Sequence, residues 1–242
     1  MLTQEQIQQF ARLDDHYRNN INPHLDNDSP NLRSACGFVR SFAIGLSAQT
    51  ATDVADALIM PAHTNIAFVN GTIQVIWSGQ QIVSTSAVFS DIVEEMAAES
   101  LSGRRISRNR FLKWREQFFE VAQYRAEQCF YRFLFACFPQ QFCSIVNPVR
   151  LRAIMNELDH RGLLQPNWRG GALPQFPDME PDADWHRALH RNQPAISTTG
   201  WYDMCETVVP VLQEAFPLSD YAEHSCFLAR IGLHLHNLGL YS

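Results

Sequence analysis

Apolar side chains recur at spacings of three and four along most of this chain, the pattern of helices that each turn one face to a core. Ile7, Phe10, Ala11 and Leu13 begin it, behind a Thr3 and Gln6 pair that forms a weak capping box. Leu32, Cys36, Val39, Phe42, Ala43 and Leu46 predict a second helix starting at Ser29 or Asn31, and residues 52–60 predict a short third one ended by Pro61. Ile92, Val93, Met96 and Ala97 predict a helix over 90–100. The longest pattern spans 107–158. Phe111, Trp114, Phe118, Val121, Ala122, Arg125, Cys129, Arg132, Phe133 and Ala136 form one broad stripe, while Phe119, Phe130, Tyr131, Leu134, Phe135, Cys137 and Phe138 fill the other faces. Read as one helix, its C-terminal half lies inside the protein. Pro139 ends it, because the residue before a proline is pushed out of the α region. Asn147 then caps a new helix with Pro148 at its first position, and Gly162 closes that helix. Two further helices are predicted over 199–216 and 219–238. Trp201, Met204, Val208, Val211, Leu212 and Ala215 line the first, and Cys226, Leu228, Ile231, Leu233 and Leu235 the second.

The period changes between 64 and 85. Two β-rich runs, 65–69 and 72–77, flank Asn70-Gly71, the strongest short hairpin signal, and 81–85 offers a third strand. The expected fold class is therefore mainly α with a small β-hairpin or three-stranded sheet, an α+β chain. The expected organisation is a helical core over 1–162 with the sheet inserted at 64–85. A Pro/Gly-rich connection over 163–184 follows, then a C-terminal helical part over 185–242 packed on the first.

Composition narrows the function classes. The chain has 242 residues, 46% of them hydrophobic, enough for a sizeable core. No apolar run approaches the 18 residues needed to span a bilayer, and the first residues lack a basic region and an apolar stretch of the secretory kind, so the expectation is no membrane and a cytoplasmic location. Six scattered cysteines without a CxxC pair read as reduced thiols in apolar surroundings. The net charge of −6 disfavours indiscriminate attraction to a polyanion. Of the 19 basic residues only Lys113 is a lysine. Arginine's planar fork suits phosphate and guanine edges, although a GC-rich genome produces the same skew. Lys113 has no glycine near it, so the chain contains no phosphate-binding P-loop.

The one basic cluster is Arg104, Arg105, Arg108, Arg110, Lys113 and Arg115, interleaved with Phe111 and Trp114. Such a stretch offers guanidinium groups to a phosphate backbone and aromatic rings to a base, with Trp77 a further ring of the right type. The competing view is a solvated helix start whose cations pair with Glu94, Glu95 and Glu99 upstream. Cations at a helix start oppose the macrodipole, so something anionic must compensate. His186 and His190 stand four apart, as metal-binding pairs do, but no glutamate follows His186, and further ligands would come from distant His224, His234 or His236. A surface or core histidine pair is the alternative. No nucleophile elbow, dinucleotide fingerprint or nuclease signature is present, so no catalytic residue, metal ligand or cofactor site is assigned.

The segment Leu134-Phe135-Ala-Cys-Phe138-Pro139-Gln-Gln-Phe142-Cys-Ser-Ile145, followed by Arg150, Arg152 and Ile154, resembles a segment of the McrB-like family. These are NTP-hydrolysing subunits of modification-dependent restriction systems, and the segment lies ahead of their motor domain. Where the family has an acidic residue after the proline and a lysine in the next helix, this chain has Gln140 and arginines. The resemblance implies a DNA-recognition module, sensing a modified base, that has no catalysis of its own and works with NTPase and nuclease partners in phage defence. Two alternatives from other classes are a protein-interaction or regulatory subunit and a metal-dependent hydrolase.

Overall fold

The computed structural model describes residues 1–20, 28–45, 50, 51, 53, 79–122, 127–164 and 195–238. Every element among them is a helix: α1 (Gln4–Asn20), α2 (Asp28–Ala43), α3 (Gly79–Ser100), α4 (Arg108–Ala122), α5 (Glu127–Cys137), α6 (Pro148–His160), α7 (Gly200–Ala215) and α8 (Tyr221–Asn237). The expectation of a small sheet is thereby corrected. Residues 81–85, read as its third strand, lie inside α3. Their β-branched side chains give only a weak local preference, whereas each residue added to an established helix gains a hydrogen bond, so the helix anchored by Ile92, Val93, Met96 and Ala97 runs back to Gly79. The runs on either side of Asn70-Gly71 fall outside the described residues, as do most of the short helix expected over 52–60 and most of the 163–184 connection.

The chain forms two units. One comprises Met1–Asn27 with Asn147–Ser242, the other Asp28–Val146. This cut differs from a linear division near 162, because the first helix belongs with the last three.

In the first unit α1 packs on α7 and α8, and both of those helices meet α6 or each other. Phe10, Leu13 and Tyr17 of α1 join Leu151, Ile154 and Leu158 of α6, Trp201, Val208 and Leu212 of α7, and Phe227, Ile231 and Leu235 of α8 in the core. Phe10 touches Phe216 and Phe227 with ring centroids 5.8 and 6.1 Å away. Polar ties fix the register. Arg230, 1% exposed, pairs with Asp14 at 2.8 Å, and buried Glu157 accepts hydrogen bonds from Tyr17 Oη (3.4 Å) and Arg161 Nε (2.6 Å). Burial, and then the Glu157 charge, hold the Tyr17 hydroxyl well above its ordinary pKa. The caps follow the sequence: Thr3 and Gln6 exchange their reciprocal bonds at 2.9 and 3.2 Å, and Asn147 Oδ1 accepts from Val149 N at 2.9 Å and Arg150 N at 3.1 Å with Pro148 behind it.

In the second unit α2, α3, α4 and α5 bury their apolar faces against one another. The single helix expected over 107–138 is corrected to two. In one continuous helix Phe111 and Phe130 would lie about 28 Å apart along the axis; their ring centroids are 5.7 Å apart. Trp114 lies against Phe138 (6.0 Å) and Phe118 against Phe130 (5.6 Å), so α5 returns antiparallel to α4. Folding back lets two aromatic stripes bury each other, which a straight helix carrying apolar groups all round cannot do. Phe130 to Phe138 are all buried, and α5 ends at Cys137 just before Pro139, as expected.

Candidate nucleic-acid interface

The basic cluster occupies the turn between α3 and α4 and the first two turns of α4, within the second unit. The turn is built from four local constraints. Gly103 takes a left-handed φ of +65°, a conformation that costs a residue with a Cβ, and its N–H reaches Ser100 O at 3.3 Å. Ser102 Oγ accepts from Arg104 N at 3.2 Å. Ile106 is 1% exposed and anchors the turn in the core. Ser107 Oγ accepts from Arg110 N at 3.2 Å and so starts α4.

A fifth constraint comes from elsewhere in the unit. Gln141, 3% exposed, lies in the turn that follows α5. Its side-chain oxygen accepts from Ile106 N at 2.8 Å and its side-chain nitrogen donates to Ile106 O at 2.9 Å. One side-chain amide thus satisfies both backbone groups of a buried residue, as a neighbouring strand would. With Ile106 turned inward, Arg104, Arg105 and Arg108 are exposed.

Arg110, Lys113 and Arg115 face acids of their own unit. Arg110 Nη1 pairs with Glu95 Oε1 and Arg110 Nε with Glu99 Oε2, both at 2.8 Å, and its guanidinium lies 5.2 Å from the Trp114 ring centre. Lys113 Nζ reaches Glu95 Oε1 at 3.3 Å, and Trp114 Nε1 donates to Glu95 Oε2 at 2.9 Å. These carboxylates, from the last turns of α3, supply the negative charge that a helix start crowded with arginine requires. Burial works to raise the Glu95 carboxyl, but the bonds from Trp114 and Lys113 and the charges of Arg110 and Lys113 outweigh it and hold the group below its ordinary pKa. Arg115 pairs with Glu127 at 2.9 Å and stacks 4.3 Å from the Phe119 ring centre, while Tyr131 donates to the same Glu127 oxygen at 2.6 Å. Of the acids named from the sequence, Glu95 and Glu99 therefore serve the cluster, and Glu94 is exposed.

The cluster thus divides in two. Arg104, Arg105 and Arg108 are exposed on an anchored turn. Arg110, Lys113 and Arg115 tie α4 to α3 and α5. Trp114 is 0% exposed, so its ring is a core group and is not offered to a base, a correction to its place beside the arginines. Trp77 falls outside the described residues, as do His186 and His190. Among the described residues no three His, Cys, Asp or Glu side chains gather where they would hold a metal ion. His224 is buried with Nε2 3.3 Å from Phe216 O, and the His234 ring lies 5.4 Å from Tyr17, both packing roles. No helix among the described residues is long and apolar enough to cross a membrane.

What the exposed arginines offer chemically is positive charge with planar donors, suited to phosphate oxygens. Sequence reasoning found its arginines but missed Gln141 and Glu127. A glutamine 35 positions from its partner carries no signal in spacing, whereas Glu127 sits 12 from Arg115 and pairs with it only because α5 folds back on α4. Compared with protein-family models, curated proteins and solved structures, the chain matches none.

Proposed function

We propose that this chain is a DNA-recognition module, without catalysis of its own, that contacts the phosphate backbone through Arg104, Arg105 and Arg108. The observation that carries the reading is the anchored turn: Gly103, Ile106 and Ser107 fix the backbone while the three arginines stand exposed. A preformed cationic turn loses less freedom on binding than a flexible one. The resemblance of the 134–154 segment to McrB-like proteins supports DNA as the polyanion, a modified base as the feature sensed, and NTPase and nuclease partners as the chains that act on it. With Trp114 in the core, Trp77 is the candidate for stacking on an extruded base.

The test is binding of the chain to modified and unmodified duplexes at two salt concentrations, beside the triple variant Arg104→Ala, Arg105→Ala, Arg108→Ala. The wild-type chain retains the modified duplex more tightly, and its affinity falls with salt. The triple variant loses tenfold or more at low salt, and its salt slope drops by up to about 2.7, since each lost phosphate contact removes about 0.9. Equal, negligible retention of both duplexes by the wild-type chain discards the proposal. One observation favours a second reading, a protein-interaction or regulatory subunit: net charge is −6, and Arg110, Lys113 and Arg115 already face internal acids. A stable complex that survives nuclease digestion, with no duplex retention, would select it.

A further inference from the structure

We infer that Gln141 is the positioning residue of the arginine turn, holding its backbone in the conformation that leaves Arg104, Arg105 and Arg108 exposed. The inference rests on the reading that these arginines contact DNA phosphates, and it names what makes that contact efficient. Gln141 is buried, and its amide bonds both the N–H and the C=O of Ile106 at 2.8 and 2.9 Å. Of the other constraints, the Gly103 turn and the Ser102 bond to Arg104 N act at its start and the Ser107 cap at its end, while burial of the Ile106 side chain anchors its middle. Gln141 clamps the backbone between Arg105 and Ser107, the stretch whose rotation would swing Arg105 away from Arg108. Because Gln141 lies in the turn at 139–141, it also ties the arginine turn to the segment just after Pro139.

The experiment compares the full chain with Gln141→Leu, which keeps the volume and removes both bonds, and Gln141→Glu. A glutamate is an amide mimic only when protonated, with one oxygen accepting from Ile106 N and the hydroxyl donating to Ile106 O. When ionised it turns a negative oxygen toward that carbonyl. Three quantities are read: duplex affinity, its salt slope, and hydrogen exchange of the amides of residues 104–107. For Gln141→Leu the expected result is roughly tenfold weaker binding with a shallower salt slope, since an unheld turn must be ordered on binding and fewer phosphates are met together. Exchange at Ile106 is faster while exchange in α4 is unchanged. For Gln141→Glu the affinity relative to wild type at the same pH is low at pH 8 and rises toward one as pH falls to about 5. If Gln141→Leu fails to fold, the pH series of Gln141→Glu decides alone.

Wild-type affinity and salt slope in a folded Gln141→Leu chain, or a Gln141→Glu ratio that does not move with pH, would overturn the inference while leaving the DNA reading standing. A wild-type chain that retains no duplex would remove the DNA reading and the inference with it.

Discussion

Glu95 receives three bonds through one carboxylate, from Arg110, Lys113 and the Trp114 indole. Its carboxyl is held below the ordinary glutamate value, so the folded state binds this proton less readily than the unfolded state does. The resulting stability is fully present above the unfolded pKa of about 4.3 and is lost as pH falls through the lower folded value. Urea unfolding between pH 3 and 7 should therefore show Glu95→Gln less stable than wild type at pH 7, with a flatter acid limb. Identical acid limbs for the two proteins would show that the carboxylate is not held down by its partners. At this scale the sequence was partly readable. Glu95 and Glu99 stand close enough to the cluster along the chain to be named as its counter-charges, because α3 and α4 are joined by a short turn. The burial of Trp114 was not, since an aromatic beside arginines looks the same whether it faces solvent or a second helix.

The elements show where periodicity suffices and where it does not. Caps and stops are local chemistry, so the Thr3 box, the Asn147-Pro148 start and the end before Pro139 fall where the residues put them. The division of 107–138 into α4 and α5 is a tertiary choice: apolar groups on several faces are equally compatible with one buried helix and with two helices folded on each other. Phe130 is the residue that distinguishes them, 0% exposed and within ring contact of Phe111, Phe118, Phe119 and Tyr131. Phe130→Ala should cost about 3–5 kcal/mol of stability in chemical denaturation, the range for emptying a buried aromatic site. A loss below about 1 kcal/mol would mean that α4 does not pack there. The strand expected over 81–85 failed for a related reason, because β-branched residues next to a strong helical pattern are taken up by the helix.

For the molecule as a whole, helical character was readable from spacing, while the partition into units was not, because nothing in a linear pattern says that α1 belongs with α6, α7 and α8. Among the described residues the second unit buries the apolar faces of α2, α3, α4 and α5 against one another, and the ion pairs of Glu95, Glu99 and Glu127 and the Gln141 clamp lie within it. A domain with its own core should fold without the remainder. A fragment of residues 28–146 is expected to show a helical circular dichroism spectrum and a single cooperative thermal transition. A fragment with little helix and a featureless melt would show that this unit depends on the other.

The same interleaving sets a timetable for synthesis. The α1 segment leaves the ribosome before any helix it packs against exists, and Phe10, Leu13 and Tyr17 stay uncovered until α6, α7 and α8 have been translated. The middle of the chain, complete much earlier, can fold in that interval. Throughout it the nascent protein carries one finished body and one adhesive amphipathic tether, the kind of surface a holding chaperone engages.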